Sequence, residues 1–170
     1  SNTLLRSVAL ASEDSAQCLT EVNNLLSRAS VNSMFVTVFY GILNHKTGAI
    51  DFTNAGHTPA YILQANGQVK EVEQYANFVA GGIEDFPYRS NTTRLEPGEA
   101  IVLYTDGVTE AFNAEKEEFG VKRLESSLTE LCYADAANVI SGVHDDLQDF
   151  IQDTEQSDDI TMLVIKRKKI

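Results

Sequence analysis

The sequence predicts an α+β fold, a layered domain with helices packed on antiparallel strands, from three observations. Apolar residues recur at helical spacing near the start of the chain and again over residues 121–151. Between them lies a block of β-rich segments cut by glycine turns, and a final apolar run of strand length closes the sequence. With 170 residues and 43% hydrophobic content, the chain can bury one core without disulfides or structural metal. Neither an internal repeat nor a linker-like stretch interrupts it, so residues 1–170 read as a single domain.

Leu4 to Ala11 has the pattern of a helix tail. A second helix follows, with Asp14 able to cap it, Gln17 standing three residues on as in a capping box, and Leu19, Val22, Leu26 and Ala29 forming one apolar face. Met34 to Leu43 is β-rich and almost continuously apolar, which predicts a central strand covered on both faces. A turn at Gly48 leads to a strand over Ala49 to Thr53. Ala60 to Gln64 and Gln68 to Val72 flank Asn66-Gly67, a strong hairpin signal, and together these segments predict an antiparallel meander. Gly81-Gly82 through Pro87 reads as an irregular excursion, and Pro97-Gly98 turns the chain into a buried strand, Ala100 to Thr105. Two amphipathic helices, Val121 to Leu131 and Ala136 to Ile151, precede a last strand, Ile160 to Ile165.

Composition removes several classes of function. Cys18 and Cys132 sit among apolar residues, which suits buried thiols in a reducing cytoplasm better than a disulfide framework. No apolar run approaches the length of a membrane span, so no membrane segment is expected here. A net charge of −12 would repel a phosphate backbone, and the basic cluster Lys166-Arg167-Lys168-Lys169 is short and terminal, so nucleic acid is not an expected partner.

Two acidic positions carry the chemistry. Asp106 directly follows the apolar run Ile101-Val102-Leu103-Tyr104-Thr105, and Asp158-Asp159 directly precede Ile160-Thr161-Met162-Leu163-Val164. If those strands are antiparallel neighbours, the end of one and the start of the other lie at the same sheet edge, and the acids converge. Converged carboxylates, without cysteine or clustered histidine, select Mn²⁺ or Mg²⁺ over zinc. Taken singly, Asp106-Gly107 is more commonly a turn and Asp158-Asp159 more commonly a solvated strand start.

Leu103-Tyr104-Thr105-Asp106-Gly107-Val108-Thr109-Glu110-Ala111, Asn54-Ala55-Gly56-His57-Thr58-Pro59 and Asp158-Asp159-Ile160-Thr161 resemble the signature segments of the SpoIIE-type branch of the metal-dependent (type-2C, PPM) protein serine/threonine phosphatases. Met34-Phe35-Val36-Thr37 and Leu95-Glu96-Pro97-Gly98-Glu99 extend the resemblance over nearly the whole chain. It implies a layered α-β-β-α sandwich, two antiparallel sheets flanked by helices, with two Mn²⁺ or Mg²⁺ ions at one sheet edge. It implies hydrolysis of phosphoserine or phosphothreonine by a metal-activated water without a phosphoenzyme. By position, Asp106 and Asp158 would ligate one ion, and Asp159, where many relatives have Asn, would support it.

The family's Gly-Asp-Val-x-Gly-x-Gly segment, whose Asp bridges both metals, has no counterpart in these residues, nor has an acidic residue still further upstream. The resemblance therefore implies a partial domain lacking its first strands and first metal-binding motif, and a chain that is nearly inactive by itself. It further implies a phosphorylated anti-sigma-factor antagonist as substrate in a partner-switching circuit, and an upstream sensor or receiver domain. The alternative is a non-catalytic pseudophosphatase, a protein-binding module of the same fold. His57 reads as a residue that orders its own loop, His45 and His144 as solvent-facing, and Glu110 as an exposed acid near a helix start.

Overall fold

The computed structural model describes residues 2–29, 35–154, 156 and 158–169. Its elements, in order, are α1 (Asn2–Ala9), α2 (Ser15–Ala29), β1 (Val38–Leu43), β2 (Ala49–Ala55), β3 (Tyr61–Leu63), β4 (Val69–Glu71), β5 (Asn91–Arg94), β6 (Ala100–Tyr104), a 3-10 turn (Asp106–Val108), α3 (Gly120–Glu130), α4 (Ala136–Ile151) and β7 (Met162–Lys166). This is an α+β fold with two antiparallel sheets, as expected. The chain divides into two compact, interleaved units, one of residues 1–57 and 73–94 and the other of residues 58–72 and 95–170.

In the first unit β2 is the middle strand, paired with β1 on one side and β5 on the other. The helix α2 begins where expected. Asp14 accepts the Gln17 N–H at 2.8 Å, and the Asp51 carboxylate on β2 accepts the Ser15 N–H at 2.8 Å, so two of the orphan donors at the helix start are satisfied. The buried hydroxyls of Ser15 and Thr53 meet at 2.8 Å. Cys18 and Leu19 are fully buried, and Leu19 packs with Ala55, Ala80 and Tyr88.

The second unit is built on a four-stranded sheet in the order β4-β3-β6-β7. Its core joins Tyr61, Leu63, Val102, Tyr104 and Val164 of the strands to Leu124 and Leu128 of α3 and Val139, Val143 and Leu147 of α4. The Asn66-Gly67 hairpin forms as read, with Gly67 at φ +89°, where a side chain would be strained. Asp135 caps α4 by accepting the Asn138 N–H at 2.8 Å.

Three expectations need correction. The run expected as a central strand is, over its described part, the edge strand β1, and Gly41 to Leu43 are exposed. Met34 lies outside the described residues. A continuous apolar run reports strand propensity but not which backbone edges are paired. The expected meander is split between the two sheets, because the chain passes from one unit to the other after the Gly56 turn. Within the excursion's wake, Asn91–Arg94 forms β5, which polar residues and a length of four concealed. Among the described residues no helix is long and apolar enough to cross a membrane.

Candidate metal centre

The sheet of the second unit positions the acids. β6 and β7 run antiparallel with Ala100 opposite Lys166 and Tyr104 opposite Met162, so the end of β6 and the approach to β7 share one edge. At that edge β6 stops because its backbone turns. The Thr105 carbonyl accepts the Val108 N–H at 3.0 Å, starting the 3-10 turn that begins with Asp106. The Asp106 carbonyl accepts the Glu110 N–H at 2.8 Å, and its exposed side chain accepts the Gly107 N–H at 3.1 Å through Oδ1. The Thr58 hydroxyl donates to the Tyr104 carbonyl, tying the start of the 58–72 segment to the same strand end.

Opposite them, Asp158 and Asp159 are exposed and lie in the loop before β7. The strand begins at Met162 rather than Ile160, so the alternation of side chains along a regular strand does not extend to the two acids. Asp158 Oδ1 accepts the Asp159 N–H at 2.7 Å, and the Gln156 side-chain amide donates to the Asp158 carbonyl.

Thr105 joins the two segments. Its N–H donates to the Thr161 carbonyl at 3.0 Å. Its hydroxyl accepts the Thr161 N–H at 3.0 Å and donates to the Asp159 carbonyl at 2.9 Å. Gly107 lets them approach: a Cβ there would stand 2.6 Å from the Asp159 carbonyl oxygen. The structure thus brings Asp106 and the Asp158-Asp159 pair to one edge, as the sequence suggested, and adds Thr105 and Gly107. Sequence reasoning missed both, because a threonine and a glycine on either side of an acid at a strand end are ordinary residues for a turn.

The donor chemistry fits a hard dication in part. Asp106 and Asp158 each commit one carboxylate oxygen to a backbone N–H, and among the described residues no hydrogen bond engages the other. Mg²⁺-like ions accept one or two carboxylates and keep several waters, which matches this set. Among the described residues, however, no group of three acids, histidines or cysteines is placed to hold an ion. The described residues at this edge thus offer carboxylate oxygens but not a complete ligand set for an ion.

The remaining candidates have local roles. Asn54 organises the Gly56 turn, its Oδ1 accepting the His57 N–H at 2.7 Å and its Nδ2 donating to the His57 carbonyl at 2.8 Å. Backbone ordering at His57 therefore comes from the asparagine amide. His45 and His144 are exposed, as is Glu110.

Against known proteins, the family described as stage II sporulation protein E (SpoIIE) matches residues 1–168. Protein IcfG of Synechocystis sp. is 32% identical over 135 residues, covering 79% of this chain and 21% of its own length. The phosphoserine phosphatase RsbU of Bacillus subtilis is 30% identical over 154 residues, covering 90% of this chain and 45% of its own. The chain therefore spans less than half the length of these curated relatives. A crystal structure of the RsbU and RsbW domains of a Mycobacterium tuberculosis protein superposes with a TM-score of 0.75 at 25% identity, over 98% of this chain and 45% of that one. With a match across almost all its length and the same fold in a solved relative, the chain belongs to the SpoIIE family.

Proposed function

We propose that this chain is part of the catalytic domain of a metal-dependent protein serine/threonine phosphatase. Its substrate would be a phosphoserine or phosphothreonine on a regulatory protein, an anti-sigma-factor antagonist in a cytoplasmic partner-switching circuit. The observation that carries this reading is that the segment bearing Asp106 and the segment bearing Asp158 and Asp159 lie at one edge of the sheet, tied together by the β6–β7 register and by the Thr105 hydroxyl. Likeness to a relative described as a phosphoserine phosphatase supports the reaction class, and likeness to a protein that carries RsbU and RsbW domains together supports a phosphoprotein partner.

In this reading Asp106 and Asp158 hold Mn²⁺ or Mg²⁺ and Asp159 supports the site. An ion held there would supply a nucleophilic water at neutral pH and positive charge for the phosphoryl oxygens. The chain's own contribution is rigidity: the 3-10 turn fixes Asp106, and the ladder between β6 and β7 fixes the loop opposite. In the longer protein an upstream segment adds the bridging carboxylate, and a sensor or receiver domain controls it. The lack of a three-ligand group among the described residues is the observation that favours the second reading, a non-catalytic protein-binding module.

Phosphopeptide hydrolysis with Mn²⁺ tests the proposal. The 170-residue chain is expected to turn over slowly or not at all, and a form extended upstream through the bridging acid to turn over robustly, with Asp106→Asn removing that activity. An extended form that stays inactive with its bridging acid in place would sink the catalytic reading in favour of the binding module.

A further inference from the structure

We infer that Thr105 is the positioning residue of this centre, its hydroxyl setting the separation between the segment that carries Asp106 and the segment that carries Asp158 and Asp159. The inference rests on the reading of those acids as metal ligands. Its origin is a conflict in the backbone. At the last antiparallel step between β6 and β7, the Thr105 N–H donates to the Thr161 carbonyl, and regular pairing would return the Thr161 N–H to the Thr105 carbonyl. That carbonyl has already turned away, because it accepts the Val108 N–H that starts the 3-10 turn.

The Thr105 hydroxyl takes its place. It accepts the Thr161 N–H at 3.0 Å and donates its own O–H to the Asp159 carbonyl at 2.9 Å. One side chain therefore lets the strand end and the turn begin at the same residue, and ties the opposite loop at two points. Gly107 limits the separation from the other side. A Cβ there would meet the Asp159 carbonyl oxygen at 2.6 Å and the Asp159 carbonyl carbon at 3.1 Å, both backbone atoms that cannot swing aside.

Ser keeps the hydroxyl, whereas Val keeps the shape and loses both hydrogen bonds. The test is Mn²⁺ titration of the 170-residue chain followed by the signal of free Mn²⁺, with Asp106→Asn as reference and thermal unfolding in chelator as the measure of folding. Thr105→Val should weaken Mn²⁺ binding roughly 10- to 100-fold, the range for residues that orient ligands, and Thr105→Ser should stay within about 3-fold. Gly107→Ala should weaken binding too. The Thr161 amide should exchange faster in Thr105→Val and near the original rate in Thr105→Ser.

A residue that only stabilises the fold would lower the melting temperature in Thr105→Val and leave the Mn²⁺ affinity of the folded protein unchanged, and that result overturns the inference. If Asp106→Asn itself leaves Mn²⁺ binding unchanged, the reading of the acids as ligands has failed first, and the positioning role falls with it. Loss in Asp106→Asn with no loss in Thr105→Val rejects the positioning role alone.

Discussion

The two adjacent aspartates before β7 are not equivalent in their bonding. Asp158 turns one carboxylate oxygen onto the Asp159 N–H, while Asp159 is held through its main-chain carbonyl by the Thr105 hydroxyl. Because both lie in a loop, strand alternation does not choose between them, and the choice rests on the family pattern that tolerates an amide at the second position. Asp158→Asn is expected to weaken Mn²⁺ binding by about 10-fold or more and Asp159→Asn by no more than about 3-fold, since an amide oxygen still accepts hydrogen bonds. Titration of both variants decides it. The reverse order would move the ligand to Asp159.

Among the elements, α2 does more than cover a sheet. Asn23 on this helix is fully buried, and its side chain holds the 79–88 segment. Its Oδ1 accepts the Gly81 N–H at 2.9 Å and the Tyr88 hydroxyl at 3.4 Å, and its Nδ2 donates to the Ile83 carbonyl at 2.9 Å. One turn later, the Arg28–Glu84 pair at 2.6 Å is exposed and adds little. Asn23→Ala should therefore cost about 1–3 kcal/mol, because it leaves the buried Gly81 N–H without its partner and removes the bond to the carbonyl of the exposed Ile83. Urea unfolding measures this directly, and a cost below about 1 kcal/mol would show that water replaces the amide. From the sequence, Gly81-Gly82 through Pro87 was legible as irregular chain; that a helix asparagine 58 residues away holds Gly81 was not, because a long-range side-chain bond leaves no periodicity.

For the molecule as a whole, buried phenols and thiols set the alkaline limit. Burial pushes Tyr88 up to about 12. Burial first, then the neighbouring Tyr104 and Glu125, raise Tyr61 well above the ordinary tyrosine range. Burial likewise raises Tyr104, Cys18 and Cys132. These groups stay neutral in the folded chain at pH values where the unfolded chain ionises them, so the unfolded state releases protons first and gains stability as pH rises. Their contribution is whole below about pH 8.5 and is lost as pH rises, with the tyrosine part going between about 10 and about 12. Urea midpoints across that range should fall steadily, and tyrosinate absorbance of the folded protein should lag behind that of the unfolded chain. Tyrosines that all ionise near pH 10 without loss of fold would contradict the burial.

What the sequence determined by itself was local or additive. Helical period placed α2, α3 and α4 within about a residue or two of their ends, Asn66-Gly67 fixed its hairpin, and acids flanking two apolar runs singled out Asp106, Asp158 and Asp159 as candidates only. These features depend on neighbours in the chain, and so they can be read along it. Which edges of β1 are paired, how the strands divide between two sheets, and the existence of β5 depend on partners dozens of residues away. The same holds at the candidate centre. A threonine before an acid is ordinary in a sequence, and only the register of β6 against β7, with the Thr105 carbonyl already committed to the turn, gives its hydroxyl the task of spacing the two acidic segments.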